Sequence, residues 1–423
     1  MLPIMFFCHA GCCFLVMLVF CFTVVGAETQ PAGARARNVV LFIGDGLGMG
    51  MLTAARIYSV GAEGRLAIEK LPHTAFARVS SQDSAVIDSA AAATAMASGA
   101  KVSNASLNIR ADKQKPPLIS ALAKEKGKSV GIVTTTRLTD ATPAAFYGYA
   151  EQRNQEESLA AQLIDASVDV ALGGGLQWFL PQVRPPGMRA DGQDLLAKGK
   201  EKGWEVIQTE ENLVSAANRK IKKGTSKRWL GLFASYDFGY ADERESRPGE
   251  PTLAAMTMAA MRKLAKNPKG YFLMVEGGMI DKAEHQNWAL RAIQETLEFD
   301  RAVAAVLRET GPDTLVIVTA DHETGGFGVS GYPPAAVRGN DLLARQPDQG
   351  FWVGWLSGPG ALASRNPLSF LDPTYRQPSA RYTDAAFHTA TDVWIAATGP
   401  GSDSVRGFLD NTDIFRIMRQ AMK

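Results

Sequence analysis

Short apolar runs alternate with helical sequence patterns along the chain after residue 37. This alternation is typical of a mainly parallel central sheet covered by helices on both faces. We therefore predict a three-layer α/β/α sandwich. The predicted strands are Asn38 to Gly44, Ser129 to Thr135, Val168 to Leu172, Tyr271 to Val275 and Thr314 to Thr319, with another near Val393. Helices are predicted after Ser89, Pro117, Gln155, Pro251 and Ala289, and over Thr412 to Met422.

The composition indicates an ordinary globular protein without a polyanionic partner. The 423 residues are 46% hydrophobic, enough to bury one large elaborated core or two joined ones. Lys and Arg total 45 against 43 Asp and Glu, so no nucleic-acid-binding surface is predicted and any phosphate site must be local. The segment from about 330 to 380, rich in Gly and Pro, is predicted to be a loop-dominated insertion, and Gly187 to Ser226 to be peripheral.

The first 27 residues differ from the rest of the chain. They contain no Lys, Arg, Asp or Glu, and their apolar run, Phe14 to Val25, is shorter than the roughly 20 residues that a spanning helix needs. The segment ends with Val25 to Ala27, small residues that suit signal peptidase. We predict a signal peptide over 1–27 and export to the periplasm or the medium. A retained anchor or a misassigned start is the alternative, because a basic N-terminal region is missing.

All the cysteines lie within this first segment. They are Cys8, Cys12, Cys13 and Cys21. A chain cleaved after residue 27 would have no cysteine, which excludes disulfides, thiolate zinc sites and a cysteine nucleophile from the mature protein.

Acidic and histidine residues lie where three predicted strands end, in the sequences IGDG, VEGGMIDKAEH and TADH. The carboxyl ends of parallel strands form one ligand-binding crevice, so we expect these side chains to converge. Divalent cations would neutralise the carboxylates and bind neutral imidazoles, with zinc suited to mixed ligands and magnesium to oxygen ligands. Taken singly, such residues are more often solvated acids or hydrogen-bonded histidines, but three strand ends together favour metal binding. The candidate ligands are Asp45, Glu276, Asp281, His285, Asp321 and His322.

Two further motifs are suited to phosphate. In VIDSAAAATA the alanines predict a helix that places Ser89 at its N-terminus, where free N–H groups favour a phosphate and an ionised serine oxygen. The alternative is that Asp88 or Ser89 only caps this helix. In TDATPAAFYGYAEQR, Arg153 offers two parallel donors that match phosphate oxygens, although a lone arginine is more often a surface residue.

Taken together, IGDGLG, DSAAAATA, TDATPAA, VEGGMIDKAEH, TADHETGG and FHTATD resemble the ordered motif set of alkaline phosphatases. The motifs span Asn38 to His388, and the likeness is closer to bacterial enzymes that pair an aspartate, here Asp140, with a lysine, here Lys282. The resemblance implies an alkaline-phosphatase-like catalytic domain over 28–423.

The resemblance also implies a set of site residues. One zinc would be held by Asp281, His285 and His388, the second by Asp45, Asp321 and His322, and a magnesium by Asp45, Thr142 and Glu276. Ser89 would carry the phosphoryl group, with Arg153 binding its oxygens, Asp88 orienting that arginine, Lys282 reaching the phosphate and Asp140 one layer behind.

The reaction implied is hydrolysis of small phosphate monoesters to an alcohol and inorganic phosphate through a phosphoserine, with activity rising toward alkaline pH. A homodimer is common in the family, and a monomer is also compatible with the sequence. The alternatives are a related phosphodiesterase, sulfatase or phosphomutase, and a non-catalytic metal-binding or anion-binding protein. A serine nucleophile, Ser89, and the complete third-metal set argue against a diesterase.

Overall fold

The computed structural model describes residues 35–219, 227–343, 351–360 and 371–422. The predicted signal peptide and its four cysteines lie outside these ranges. Among the helices within them, none combines the length and apolar character needed to cross a bilayer.

The strands, numbered in chain order, are β1 Asn38–Gly44, β2 His73–Arg78, β3 Ser129–Arg137, β4 Val170–Gly174, β5 Trp204–Ile207, β6 Arg228–Leu232, β7 Tyr271–Gly277, β8 Thr314–Ala320, β9 Glu323–Thr324, β10 Gly328–Gly331, β11 Phe351–Gly358, β12 Ser379–Tyr382, β13 His388–Thr389, β14 Val393–Thr398 and β15 Gly407–Asp410. The helices are α1 Met49–Val60, α2 Ser89–Ser98, α3 Ile119–Glu125, α4 Ala141–Ala145, α5 Glu156–Asp165, α6 Leu195–Glu201, α7 Glu210–Asn218, α8 Leu253–Leu264, α9 Met279–His285, α10 Ala289–Glu309 and α11 Asn411–Ala421.

The main sheet has the strand order β15-β2-β14-β8-β1-β7-β3-β4-β6-β5. Its pairings are parallel except those of β14, which is antiparallel to both β2 and β8. Helices α1, α8, α9 and α10 pack together, while α2, α3, α4 and α11 form a second group. The architecture is the predicted α/β/α arrangement with a mainly parallel sheet, in which central strands are apolar because both faces are covered.

The register of the central strands positions the site. Gly44 at the end of β1 is level with Gly277 of β7 and with Ala320 of β8. The three carboxyl ends therefore open at one edge of the sheet, where the acidic residues that follow them come together.

Every strand that the alternation predicted is present, with ends moved by up to two residues, and so are the predicted helices. The sequence did not predict β2, β5, β6 or β15. The segment predicted as a loop-dominated insertion contains, in its described part, the small sheet β10-β11-β12. Strands β10 and β12 are short and partly exposed, and buried residues alternate with more exposed ones in β11 from Trp352 to Ser357. This small sheet therefore lacks the fully buried strands that identified the central sheet.

Candidate active site

Three buried acids meet at the carboxyl edge of the sheet. Asp45 directly follows β1, Glu276 is the penultimate residue of β7 and Asp321 directly follows β8. Each is at most 3% exposed. Gly46 turns the chain after Asp45 with a positive φ of 78°, and its N–H donates to Asp321 Oδ1 at 3.0 Å. The predicted convergence of these strand ends is therefore what the chain adopts.

The turn of α9 brings two of the predicted ligands onto one helix face. Asp281 and His285 are four residues apart, and Asp281 Oδ2 lies 3.1 Å from His285 Nε2. The backbone carbonyl of Ala386 lies 2.7 Å from His285 Nδ1. A carbonyl can only accept, so Nδ1 carries the proton and Nε2 keeps a free lone pair.

His388 reaches the same point from β13. Its Nδ1 donates to the carbonyl of Ile87 at 3.0 Å, which leaves Nε2 as a lone-pair donor to a cation. That Nε2 lies 3.4 Å from His285 Nε2 and 3.8 Å from Asp281 Oδ1. These three side chains direct one ligand atom each at a common point, all within 4.8 Å of one another.

A second group of ligand atoms surrounds His322, which is fully buried. His322 Nε2 lies 3.5 Å from Asp45 Oδ1 and 3.2 Å from Asp321 Oδ2. Ligand atoms of Asp45, His322 and Asp281 also lie within 4.8 Å of one another, so Asp281 borders both groups. Asp321 belongs to the second group because its Oδ2 lies closer to His322 Nε2 than Asp45 Oδ1 does.

Thr324 fixes the tautomer of His322. Its hydroxyl donates to Asp281 Oδ1 at 2.6 Å, which leaves the threonine oxygen to accept from His322 Nδ1 at 3.2 Å. With the proton on Nδ1, Nε2 of His322 also presents a lone pair.

The donor chemistry of the site fits divalent cations. Among the described residues, four buried oxygens of the predicted ligands have no hydrogen-bond partner: Asp45 Oδ1, Thr142 Oγ1, Glu276 Oε1 and Asp321 Oδ2. Buried carboxylate oxygens without donors are costly unless a cation compensates them. Mixed imidazole and carboxylate ligands suit zinc, and an all-oxygen set suits magnesium.

Burial changes the acidity of these groups. Together with the charge of Asp140, it raises the pKa of Glu276 to about 8, and it raises the pKa of Asp321 to about 7. Burial, reinforced by Asp321, also raises the pKa of Asp45 well above its usual value. Protons and cations therefore compete for these oxygens, and cation binding should tighten as the pH rises.

Ser89 is the first residue of α2 and projects toward the second group. Its Oγ lies 3.1 Å from His322 Nε2, which has no proton to donate, so the hydroxyl donates. The preceding residue, Asp88, caps the helix by accepting from the Ala91 N–H at 3.0 Å. The helix ends at Ser98 and is followed by Gly99, whose φ of 70° is left-handed. Capping thus belongs to Asp88, and the Ser89 hydroxyl remains directed at the crevice.

Arg153 and Lys282 share an ion-pair network that includes Asp88, the residue before Ser89. Arg153 Nη1 lies 3.2 Å from Asp88 Oδ2, and Arg153 Nη2 lies 3.1 Å from Asp140 Oδ1. Lys282 Nζ lies 3.2 Å from the other oxygen of Asp140. Arg153 is therefore held between two aspartates.

Sequence reasoning missed several side chains that support the predicted ones. Thr134 and Thr136 donate to Glu276 Oε2, the latter at 3.2 Å. Their signal was the run TTT at the end of an otherwise apolar buried strand. The other missed residues are Thr324, Asn104, whose Oδ1 accepts from the Asp88 N–H, and Arg137, which pairs with Asp140.

The alkaline phosphatase family model matches residues 36–423. Tissue-nonspecific alkaline phosphatase of Gallus gallus is 32% identical over 433 aligned positions, covering 88% of this chain and 82% of that protein. Alkaline phosphatase of Gadus morhua is 30% identical, with 92% of each chain covered.

Solved structures agree with these relatives. The crystal structure of Thermus thermophilus alkaline phosphatase matches with a TM-score of 0.73 and 30% identity over 93% of each chain. A variant of the enzyme from the Antarctic bacterium TAB5, with magnesium bound in its M3 site, matches with a TM-score of 0.72 and 27% identity over 92% of this chain and 98% of that one. The chain that forms this crevice belongs to the alkaline phosphatase family, whose members hydrolyse phosphate monoesters.

Proposed function

We propose that this phosphomonoesterase acts through a phosphoserine formed on Ser89, at a site for two zinc ions and one magnesium ion. One observation carries the proposal: Ser89 Oγ lies 3.1 Å from Nε2 of His322, which is a predicted zinc ligand. The family membership supports the reaction, and the ligand atoms that converge on two points support the metals.

The proposed zinc ligands are Asp281, His285 and His388 for one ion and Asp45, Asp321 and His322 for the other. The proposed magnesium ligands are Asp45, Thr142 and Glu276. When bound, the cations supply positive charge that neutralises the phosphate and favours the ionised forms of serine and water. The magnesium of the TAB5 variant supports the third site.

The protein's own groups position the phosphoryl group. Ser89 Oγ attacks phosphorus in line with the ester oxygen, a P–O bond to Ser89 forms, and the bond to the alcohol breaks. The alcohol leaves with a proton. The N-terminus of α2 favours the negative charge at this position, because its first N–H groups are not used within the helix.

Arg153 and Lys282 bind the oxygens that do not take part in bond exchange. Arg153 offers two parallel N–H donors to two phosphate oxygens, and its pairing with Asp88 and Asp140 restricts its orientation. Lys282 adds a second positive charge, held near the site by Asp140. Positioning of this kind is most of what an enzyme contributes to phosphoryl transfer.

Water then completes the reaction. It attacks the phosphorus of phosphoserine from the side that the alcohol has left, and the bond between phosphorus and Ser89 Oγ breaks. Inorganic phosphate is released and Ser89 regains its proton.

For the N-terminal segment, we propose that residues 1–27 are a cleaved signal peptide. The measurement is the N-terminal sequence of the protein recovered from the periplasm or medium. A recovered chain that begins at Met1 would contradict cleavage.

Ser89→Ala tests the catalytic proposal. The variant should keep its metal content and lose turnover, and acid quenching during turnover should trap phosphoserine in the parent protein only. Ser98→Ala is the matched control, because Ser98 is a buried serine at the other end of α2 whose hydroxyl donates to the Thr94 carbonyl. Phosphoserine trapped in the Ser89→Ala protein would refute the role of this residue.

A substrate panel tests the reaction class. A chromogenic phosphate monoester should be turned over far faster than the matching diester or sulfate. Faster turnover of either of the latter would exclude the proposed function, and no turnover of any of them would favour a binding protein.

A further inference from the structure

Arg137, the last residue of β3, makes ion pairs with three carboxylates. Its Nε lies 2.8 Å from Glu156 Oε2, and its Nη1 lies 2.9 Å from both Asp237 Oδ1 and Asp140 Oδ2. The guanidinium also stacks over the ring of Tyr236, with Cζ 4.4 Å from the ring centroid. Only 12% of the side chain is exposed, so this arginine is held in one orientation.

Asp140 connects Arg137 to the phosphate side of the site. One oxygen, Oδ2, accepts from Arg137 and lies 3.2 Å from Lys282 Nζ. The other, Oδ1, accepts from Arg153 Nη2 at 3.1 Å and from the Ala141 N–H at 2.7 Å. A carboxylate has about four lone-pair directions, so these four donors use the full capacity of Asp140.

We propose that Arg137 is a positioning residue that keeps Arg153 and Lys282 available to phosphate by sharing Asp140 with them. The inference rests on the proposed function, in which those two cations bind the phosphoryl oxygens. In this arrangement Arg137 acts through its neighbours, because its Nε and Nη1 groups are paired with the three carboxylates.

Loss of the Arg137 charge would change the site in two ways. Asp140 would be free to rotate and pair more closely with Arg153 and Lys282, which weakens their attraction for phosphate. Asp237 would lose its arginine partner while it already interacts electrostatically with Lys282, so it would draw that ammonium group away. Both effects reduce the positive potential where phosphate binds.

A purely structural role for Arg137 makes a different prediction. The three carboxylates belong to separate parts of the chain: Asp140 precedes α4, Glu156 begins α5 and Asp237 lies in the loop after β6. If Arg137 only joined these parts, its removal would lower the melting temperature and leave the phosphate affinity of the folded protein unchanged.

The test uses the full-length, metal-loaded enzyme with the substitution Arg137→Met. The inhibition constant of inorganic phosphate and the KM of a monoester substrate should both rise about tenfold, while kcat changes less. All assays are run well below the melting temperature of each variant. Unchanged values for both constants would overturn the proposal.

Arg137→Lys provides a second variant that is closer to the native chemistry. A single ammonium group cannot contact three carboxylates with the geometry of the guanidinium, so the inhibition constant should still rise, by a smaller factor. If Arg137→Met does not fold, this variant carries the test alone, and an unchanged inhibition constant for it overturns the proposal.

Arg291→Met is the matched control. Arg291 is also buried, pairs with Asp242 at 2.9 Å and Glu243 at 2.7 Å, and stacks over Tyr240. Its two carboxylates form no ion pair with Arg153 or Lys282 among the described residues. The control should lose stability like Arg137→Met but keep the parent phosphate affinity, and a matching loss of affinity would overturn the specific role of Arg137.

A double-mutant cycle shows whether the effect passes through Asp140. In an Asp140→Asn background, Arg137→Met should raise the inhibition constant by a smaller factor than in the parent, because the effect through Asp140 is gone and only the effect through Asp237 remains. If the effects of the two substitutions on the inhibition constant were fully additive, Arg137 would not act through Asp140 and the proposal would be overturned. Arg153→Ala separates this inference from the proposed function. Unchanged phosphate affinity in Arg153→Ala would refute the proposed function. Weaker phosphate binding in Arg153→Ala but not in Arg137→Met would refute only the role of Arg137.

Discussion

The hydroxyl of Ser89 donates a 3.1 Å hydrogen bond to Nε2 of His322, a residue 233 positions away in the sequence. This contact joins the first turn of α2 to the end of β8, and it places the serine oxygen next to the histidine that contacts two buried carboxylates. A serine at a helix N-terminus is ordinarily a cap. Here Asp88 caps the helix, so the Ser89 hydroxyl is not used as the cap and faces His322 instead.

His322→Ala should remove zinc from the second ligand group. The substitution deletes a nitrogen that lies within 3.5 Å of Asp45 Oδ1 and Asp321 Oδ2, so kcat/KM should fall about a thousandfold or more. Elemental analysis of the purified protein, together with monoester turnover, provides the measurement. His73→Ala, on strand β2, should keep both properties. Full zinc occupancy in the His322→Ala variant would show that His322 is not a zinc ligand.

Thr324→Val should weaken zinc binding without deleting a ligand. The hydroxyl of Thr324 connects Asp281 with His322, and supporting hydrogen bonds of this kind affect metal affinity by about 10- to 100-fold. Competition with a chelator measures the affinity directly. Thr324→Ser, which retains the hydroxyl, should remain close to the parent. Equal affinities for the Val and Ser variants would show that the bridge has no effect.

The central part of the fold could be predicted because its signals are local. Strands β1, β7 and β8 are continuous apolar runs that end in glycines and acids, and the register of Gly44 with Gly277 and Ala320 follows from their parallel order. The strands that were missed lie toward the edges or in small sheets. In β2, for example, buried and exposed residues alternate, so no continuous apolar run marks the strand.

The ligands could be predicted only as a set, and their supports could not. Asp281 and His285 have a helical spacing that indicates one face, but nothing local relates His388 to them over 103 residues. The family motifs provided that link. The threonine supports and Arg137 act through contacts between separate parts of the chain, and a single sequence does not reveal which distant carboxylate an arginine will meet.

Asn104→Ala should slow the reaction without removing metal. Its Oδ1 accepts from the Asp88 N–H at 3.0 Å and its Nδ2 donates to the Val86 carbonyl at 2.9 Å, so it fixes the backbone directly before Ser89. We expect kcat to fall about tenfold at unchanged metal content. Asn267→Ala is a matched control, because Asn267 also donates to a loop carbonyl, that of Gly127, at 2.8 Å. Equal kcat values for both variants would contradict this role.

Glu295 should make the protein less stable as the pH rises, independently of the metal ligands. Burial raises its pKa from 4.5 to about 7, although the N–H of Ala241 donates to it and opposes the shift. Between these two values the folded protein binds more protons at this residue than the unfolded chain does. The free energy of unfolding therefore decreases as the pH rises from about 4.5 to about 7, and stays at the lower value above that range.

Glu295→Gln should remove this dependence. Glutamine keeps an oxygen that can accept from the Ala241 N–H, but it has no charge to bury. The melting temperature of the variant should equal that of the parent near pH 4.5 and exceed it increasingly up to pH 7, with both proteins loaded with metal. Glu309→Gln, at the exposed end of the same helix α10, should follow the parent at every pH. A constant difference between the Glu295 variant and the parent would mean that the carboxyl group does not titrate in this range, because only a change in protonation between the folded and unfolded states makes stability depend on pH.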